Sequence, residues 1–162
     1  MEYEKGIKIE LAEAWQEWIQ GFAPWKLFLT LTFSQADRFY PVTQDQVVYD
    51  WRKLVRVLNK DTWGNNYTSK VHHSYFSYIL AIEPHQSGAL HAHAFVDQPI
   101  NRDLLEVYWN KIGGWEKIQA VDGDREKMSK YLSKYIIKGG MLYPYKSKSE
   151  RVPTFLPYWW SS

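Results

Sequence analysis

From Leu27 the chain alternates strictly. Leu27, Leu29, Leu31 and Phe33 share one side, while Thr30, Thr32 and Ser34 share the other. A period of two predicts a strand over 26–34 with one apolar and one polar face. Before it, Leu11, Trp15, Trp18, Ile19 and Phe22 recur at helical steps, which predicts a helix over 9–20 stopped at Gly21. After it, Thr43-Gln44-Asp45-Gln46 reads as a capping box. The helix it opens carries Val47, Trp51, Leu54, Val55 and Leu58 on its apolar side. A polar loop over 61–70 follows. Two strands, 74–83 and 89–96, are joined by the turn-forming Pro84-His85-Gln86-Ser87-Gly88.

A further amphipathic helix runs from Asn101 to Ile112 and is closed by Gly113-Gly114. Residues 115–121 predict a strand and 124–138 a helix. The last twenty residues, with Pro144, Pro153 and Pro157 among aromatics, read as irregular. The order α, β, α, β-β, α, β, α predicts an α+β fold, an antiparallel sheet with helices packed on it. The 162 residues suit a single domain, 1–162, with a core over about 25–140, the N-terminal helix 9–20 and the tail 141–162.

Composition changes this picture in one respect. Nine Trp, twelve Tyr and seven Phe make 17% of the chain aromatic, more than a core of this size needs, so some rings are expected to line a surface that binds something flat. With no cysteine, disulfides and Cys-ligated zinc or iron–sulfur sites are excluded. No apolar run is long enough for a membrane helix, and Met1-Glu2-Tyr3-Glu4-Lys5 lacks a signal-peptide pattern, so a cytoplasmic address and no membrane partner are expected. The net charge is only +2, but residues 125–151 carry eight basic side chains against Glu126 and Glu150. That segment is either a solvated face or a track for a polyanion.

Two groups of residues carry candidate chemistry. His91 and His93 are two apart in a strand, so both imidazoles project from one face. They read as half of a metal site or as a pair on a polar sheet surface. If Glu83 pairs with Ala89 across the turn, Glu83 lies on the same face and diagonal to His91, which completes a Glu/His/His set for a divalent ion. His85, in the turn, is an alternative ligand, and His72 and His73 are surface residues.

The second group is Tyr131-x-x-Lys134-Tyr135-x-x-Lys138. With Met128 at 0° on a helical wheel, Leu132 and Ile136 fall near 40° and 80° and define the buried arc. Lys127, Lys134 and Lys138 then lie between about 240° and 280°, Tyr131 near 300° and Tyr135 near 340°. The two tyrosines are amphipathic edge residues or the working side chains of a lysine-lined helix.

Together these segments resemble the HUH endonucleases, specifically rolling-circle replication initiators. Phe28-Leu29-Thr30-Leu31-Thr32-Phe33 resembles their first motif, and His91-Ala92-His93-Ala94-Phe95 their metal-binding motif. Tyr131-x-x-Lys134-Tyr135-x-x-Lys138 is similar to the paired-tyrosine motif of initiators from single-stranded DNA phages and plasmids. Ala92 is smaller than the apolar residue usual in the family. The resemblance implies a ferredoxin-like or RRM-like palm, and Mg²⁺ or Mn²⁺ held by Glu83, His91 and His93. It also implies nicking and joining of single-stranded origin DNA through a covalent 5′-phosphotyrosine.

In that reading Tyr131 and Tyr135 are the nucleophiles, Lys134 assists them, and Lys127, Lys138, Thr30 and Thr32 contact the DNA. With no G-x-x-x-x-G-K-[ST], these residues hold no P-loop, so a helicase is expected as a separate protein or a further part. A transposase or mobilisation relaxase would share this chemistry. A non-catalytic RRM-like binding module would share only the fold.

Overall fold

The computed structural model describes residues 2–33, 42–64, 74–84, 90–112, 114–120, 125–137 and 140–147, some of them through the backbone alone. The expected 61–70 loop beyond Gly64, the 85–89 turn and the chain after 147 lie outside the described residues. The elements are α1 (Glu2–Phe22), β1 (Leu27–Phe33), α2 (Gln44–Trp63), β2 (Tyr78–Pro84), β3 (Leu90–Val96), α3 (Arg102–Lys111), β4 (Gly114–Ala120), α4 (Arg125–Ile137) and β5 (Met141–Tyr145). The five strands form one sheet in the order β4-β1-β3-β2-β5, and every neighbouring pair is antiparallel. From β1 to β4 the chain follows β-α-β-β-α-β, the ferredoxin-like arrangement on which the expected α+β fold rested.

Alternation along the strands splits the core into two layers. Leu27, Leu29, Leu31 and Phe33 of β1 join Leu80 and Ile82 of β2 and Ala92, Ala94 and Val96 of β3 on one face. There they pack against Val47, Trp51, Leu54 and Leu58 of α2 and Leu105 and Trp109 of α3. Each fully buried leucine in this layer contributes about 1.5–3 kcal/mol relative to an exposed one. The other face carries Phe28, Ile79, Ala81 and Phe95, covered by Ile19 and Phe22 of α1, Trp25, and Met128 and Leu132 of α4. Ala92 belongs to the first layer, where its small side chain leaves room for the helices.

The helix ends follow local chemistry. The Thr43 hydroxyl accepts from the Gln46 N–H at 3.2 Å, and Asn101 caps α3 by accepting from Leu104 N–H at 3.1 Å. The helix α2 ends at Gly64, whose φ of +91° suits glycine and whose N–H donates to Lys60 O at 2.8 Å.

Several expected boundaries shift. The helix α1 starts at Glu2 and runs through Gly21, which meets no neighbouring atom that a side chain would strike. Residues 74–77 are not strand, because other partners take their polar groups. Asn59 Oδ1 accepts from Tyr75 N–H at 2.8 Å, and Asp97 Oδ1 from Ser77 N–H at 2.7 Å. Burial in this segment pushes the Tyr75 phenol far up from its ordinary pKa, and it donates to Pro99 O at 2.8 Å.

The larger correction concerns the tail. Met141–Tyr145, expected to be irregular, is a strand paired with β2. Pro144 is tolerated because β5 is at the edge of the sheet, where a missing N–H can face outward. Tyr145 stacks on Tyr78 at 5.4 Å, and Tyr143 OH accepts from the Gln44 amide at 2.8 Å.

Gly114 is the tightest point of this assembly. A Cβ there would collide with the Thr32 carbonyl oxygen and with the Trp109 indole, which donates to that same oxygen at 2.9 Å. Gly114→Ala is therefore expected to destabilise the fold by about 1–3 kcal/mol, as overpacked sites do. Thermal melting of the variant against the wild type checks this.

Candidate functional site

The polar side of β1, β2 and β3 lies on the face that α1 and α4 cover. Thr30 and Thr32 pair with His93 and His91. On the opposite flank Glu83 pairs with His91 and Ala81 with His93. The shared face of Glu83, His91 and His93 was expected, but the register is two residues away from the expected one. Glu83 stands directly across from His91 rather than from Ala89, and its diagonal neighbour is His93. A slip of two preserves the face, and a slip of one would have inverted it.

Within this patch His93 is the centre. It is 3% exposed, with Nδ1 3.3 Å from Thr30 Oγ1 and Nε2 3.3 Å from Glu83 Oε2. Phe28 stacks on the imidazole with ring centroids 5.5 Å apart and planes 13° from parallel. Burial holds the His93 pKa below its ordinary 6.5, and the His91 charge adds to that. The hydrogen bond to Glu83 and its charge act in the opposite direction. The resulting imidazole is neutral near pH 7, the form that can donate a lone pair.

The helix α4 lays its tyrosine on this centre. The Tyr131 ring meets His93 edge-on at 5.5 Å and Phe28 at 6.2 Å, yet it remains 42% exposed. Buried Ser129, Leu132 and Ser133 define the inner arc of α4, with Ser133 donating to Lys130 O at 2.8 Å. Exposed Lys127, Lys130 and Lys134 line its outer side. A site thus forms where a ring, a neutral imidazole and a carboxylate lie beside a cationic helix face.

Not every expected residue joins it. Tyr135 is on α4 one turn beyond Tyr131, with its side chain outside the described residues, as are Lys138, His72, His73 and His85. Among the described residues no group of three or more His, Asp or Glu side chains is gathered around a point that could hold an ion. Glu83, His91 and His93 do suit a divalent cation in kind and in shared face. As posed, Glu83 and His93 bond to each other instead of converging. Thr30, expected to touch DNA, has its hydroxyl on His93. Phe28 was not expected at the site, although it shares the parity of Thr30 and Thr32 along the alternating strand.

Residues 26–140 match the family model of the ORF2-type replication-associated proteins. The match spans about seven-tenths of the chain and includes β1 to α4, the whole of this site. The chain belongs to that family, which supports a replication initiator that binds DNA. No curated protein and no solved structure matches it significantly. None of its described helices is long and apolar enough to cross a membrane.

Two outcomes follow from the His93 contacts. Thr30→Val keeps the side-chain shape and removes the hydroxyl that orients the imidazole. It should weaken any metal bound through His93 by about 10–100-fold, while Thr30→Ser retains it. Calorimetric titration with Mn²⁺ reads this directly. For the metal-free protein, the lowered pKa means that the unfolded state binds the proton more readily. Stability should be level above about pH 6.5, the ordinary histidine value, and decline below it until the folded-state pKa is passed. Melting temperatures across a pH series, with His93→Gln as the control that removes this component, test the sign.

Proposed function

We propose that the chain is a site-specific nicking and joining enzyme for single-stranded DNA that initiates rolling-circle replication, with Tyr131 as primary nucleophile. The observation that carries this reading is the half-exposed Tyr131 ring held 5.5 Å from buried His93, on a patch that also holds Glu83 and His91. In the step proposed, the Tyr131 phenol loses its proton and its oxygen attacks a backbone phosphorus. The P–O3′ bond breaks, the 3′ oxygen leaves as a hydroxyl after taking a proton, and the 5′ phosphate stays on Tyr131. One phosphate diester replaces another of similar energy, so no nucleotide cofactor is required. A phenol, with a pKa of about 10, leaves more readily than an alkyl alcohol, so a returning 3′ hydroxyl can reverse the step.

Glu83, His91 and His93 would hold Mg²⁺ or Mn²⁺, which when bound polarises the scissile phosphate. His93 enters that set neutral. Thr30 and Phe28 fix its ring from two directions, and Glu83 has to swing from His93 toward the ion. Exposed Lys134, one turn from Tyr131, would stabilise the phenolate or the departing oxygen, and Lys127 would steer the strand. Tyr135, about 6 Å further along the axis, would serve as second nucleophile, able to attack while Tyr131 holds a cut end. Lys138 and Thr32 remain proposed DNA contacts, and unwinding would fall to a separate helicase.

The test is formation of a covalent adduct on a denaturing gel, with candidate origin single strands and Mn²⁺. Tyr131→Phe should lose the first cleavage, Tyr135→Phe should keep it, and His93→Ala should lose it together with metal binding. The reverse pattern for the two tyrosines would exchange their roles. An adduct formed by the double Phe variant would end the tyrosine mechanism and leave the non-catalytic binding module as the better reading.

A further inference from the structure

The proposed chemistry uses only the sheet face under α1 and α4. On the opposite face α2 presents a second cationic surface. With Tyr49 at 0° on the α2 wheel, Arg52, Arg56, Lys60 and Lys53 fall near 300°, 340°, 20° and 40°, an arc about 100° wide. All four cations are exposed, and Tyr49 is 56% exposed, with Lys53 Nζ 5.1 Å from its ring centre. Asp45, in the first turn, is the acid in this arc. Asp50 is buried beneath it and bonded to Gln46 at 3.1 Å. Among the described residues none of the four cations is ion-paired.

A helix that merely needs to be wet does not have to gather four such positive charges on one stripe, because like charges one turn apart repel. Their spacing from Arg52 to Lys60 runs about 12 Å along a straight, rigid axis. Arg56 and Lys53 also lie close enough to Tyr108 of α3 to act on its phenol.

We infer that the outer stripe of α2, built on Arg52, Lys53, Arg56 and Lys60, is a docking surface for the phosphate backbone of duplex DNA, separate from the Tyr131 site. Duplex is the better occupant on two counts. It carries a negative charge per about 1.7 Å of axis, a density that favours a line of cations. Single strands are held in cationic grooves with stacking platforms, whereas this convex helix offers a single exposed ring already covered by Lys53. Because α2 and the tyrosine helix lie on opposite sheet faces, duplex beside a nick site could be gripped while the opened strand enters the other face. The inference rests on the chain being a DNA-binding initiator and not on its nicking step.

The test measures binding of a short duplex and of one of its strands by fluorescence anisotropy across a salt series. It compares the wild type with the quadruple variant Arg52→Gln, Lys53→Gln, Arg56→Gln, Lys60→Gln. The expected result is a loss of duplex affinity with the slope of log K against log salt reduced by up to about 3.6, or about 0.9 for each phosphate contact removed. Binding of the single strand and its adduct formation should stay at the wild-type level. If the quadruple variant does not fold, the pairs Arg52→Gln/Lys53→Gln and Arg56→Gln/Lys60→Gln should each lose about half of that slope. An unchanged duplex slope, or an equal loss on the single strand, overturns the inference. Tyr131→Phe separates the two readings, since it should abolish the adduct and leave the duplex slope intact.

Discussion

The antiparallel pairing of β1 with β3 at the middle of the sheet is the constraint on which everything else depends. It sets Thr30 against His93 and Thr32 against His91, and by the same parity sends Leu29 and Leu31 beside Ala94 and Ala92. One register therefore builds a dry layer under α2 and α3 and a polar patch under α4. The two cannot be changed separately. A shift of one residue would bury the histidines under α2 and turn four apolar side chains toward Tyr131.

Around that pairing the polar patch is kept from collapsing by its neighbours. His93 is buried like a core residue, but each ring nitrogen has a partner and one ring face is covered by Phe28. A buried imidazole with both nitrogens met costs little to desolvate and is fixed in orientation. Tyr131, by contrast, rests on this platform from the side, so its ring is positioned while its surface stays open. The division of labour between a rigid floor and an accessible ring comes from placing one on a central strand and the other on a covering helix.

Much of this was legible in the chain because alternation and helical spacing are strong where one face is buried. Leu27 to Phe33 defined a strand and its two faces without ambiguity, and Thr43 with Gln46 marked the start of α2. The hairpin register was harder, because Pro84 to Gly88 signals a turn without stating how many residues it consumes. Pairing Pro84 with Leu90 instead of Glu83 with Ala89 moved Glu83 from a diagonal to a facing position relative to His91. The strand β5 was hidden by Pro144, which forbids a central strand but not an edge, and an edge is defined only by the assembled sheet. Phe28 was visible as a strand residue, but its stacking on His93 is a tertiary fact.

The helix α4 leaves the sheet at β4, one edge, and rejoins it at β5, the other. Thirteen residues of helix measure about 19 Å, and four gaps between strands measure about the same. The tyrosine helix is thus as long as the sheet is wide and is tied down at both borders, like a strut across a frame. Lengthening it by a turn would unseat an edge strand, and adding a single residue would rotate Tyr131 about 100° away from His93. In such a frame the nucleophile is stationary, and it is the strand of substrate that has to travel.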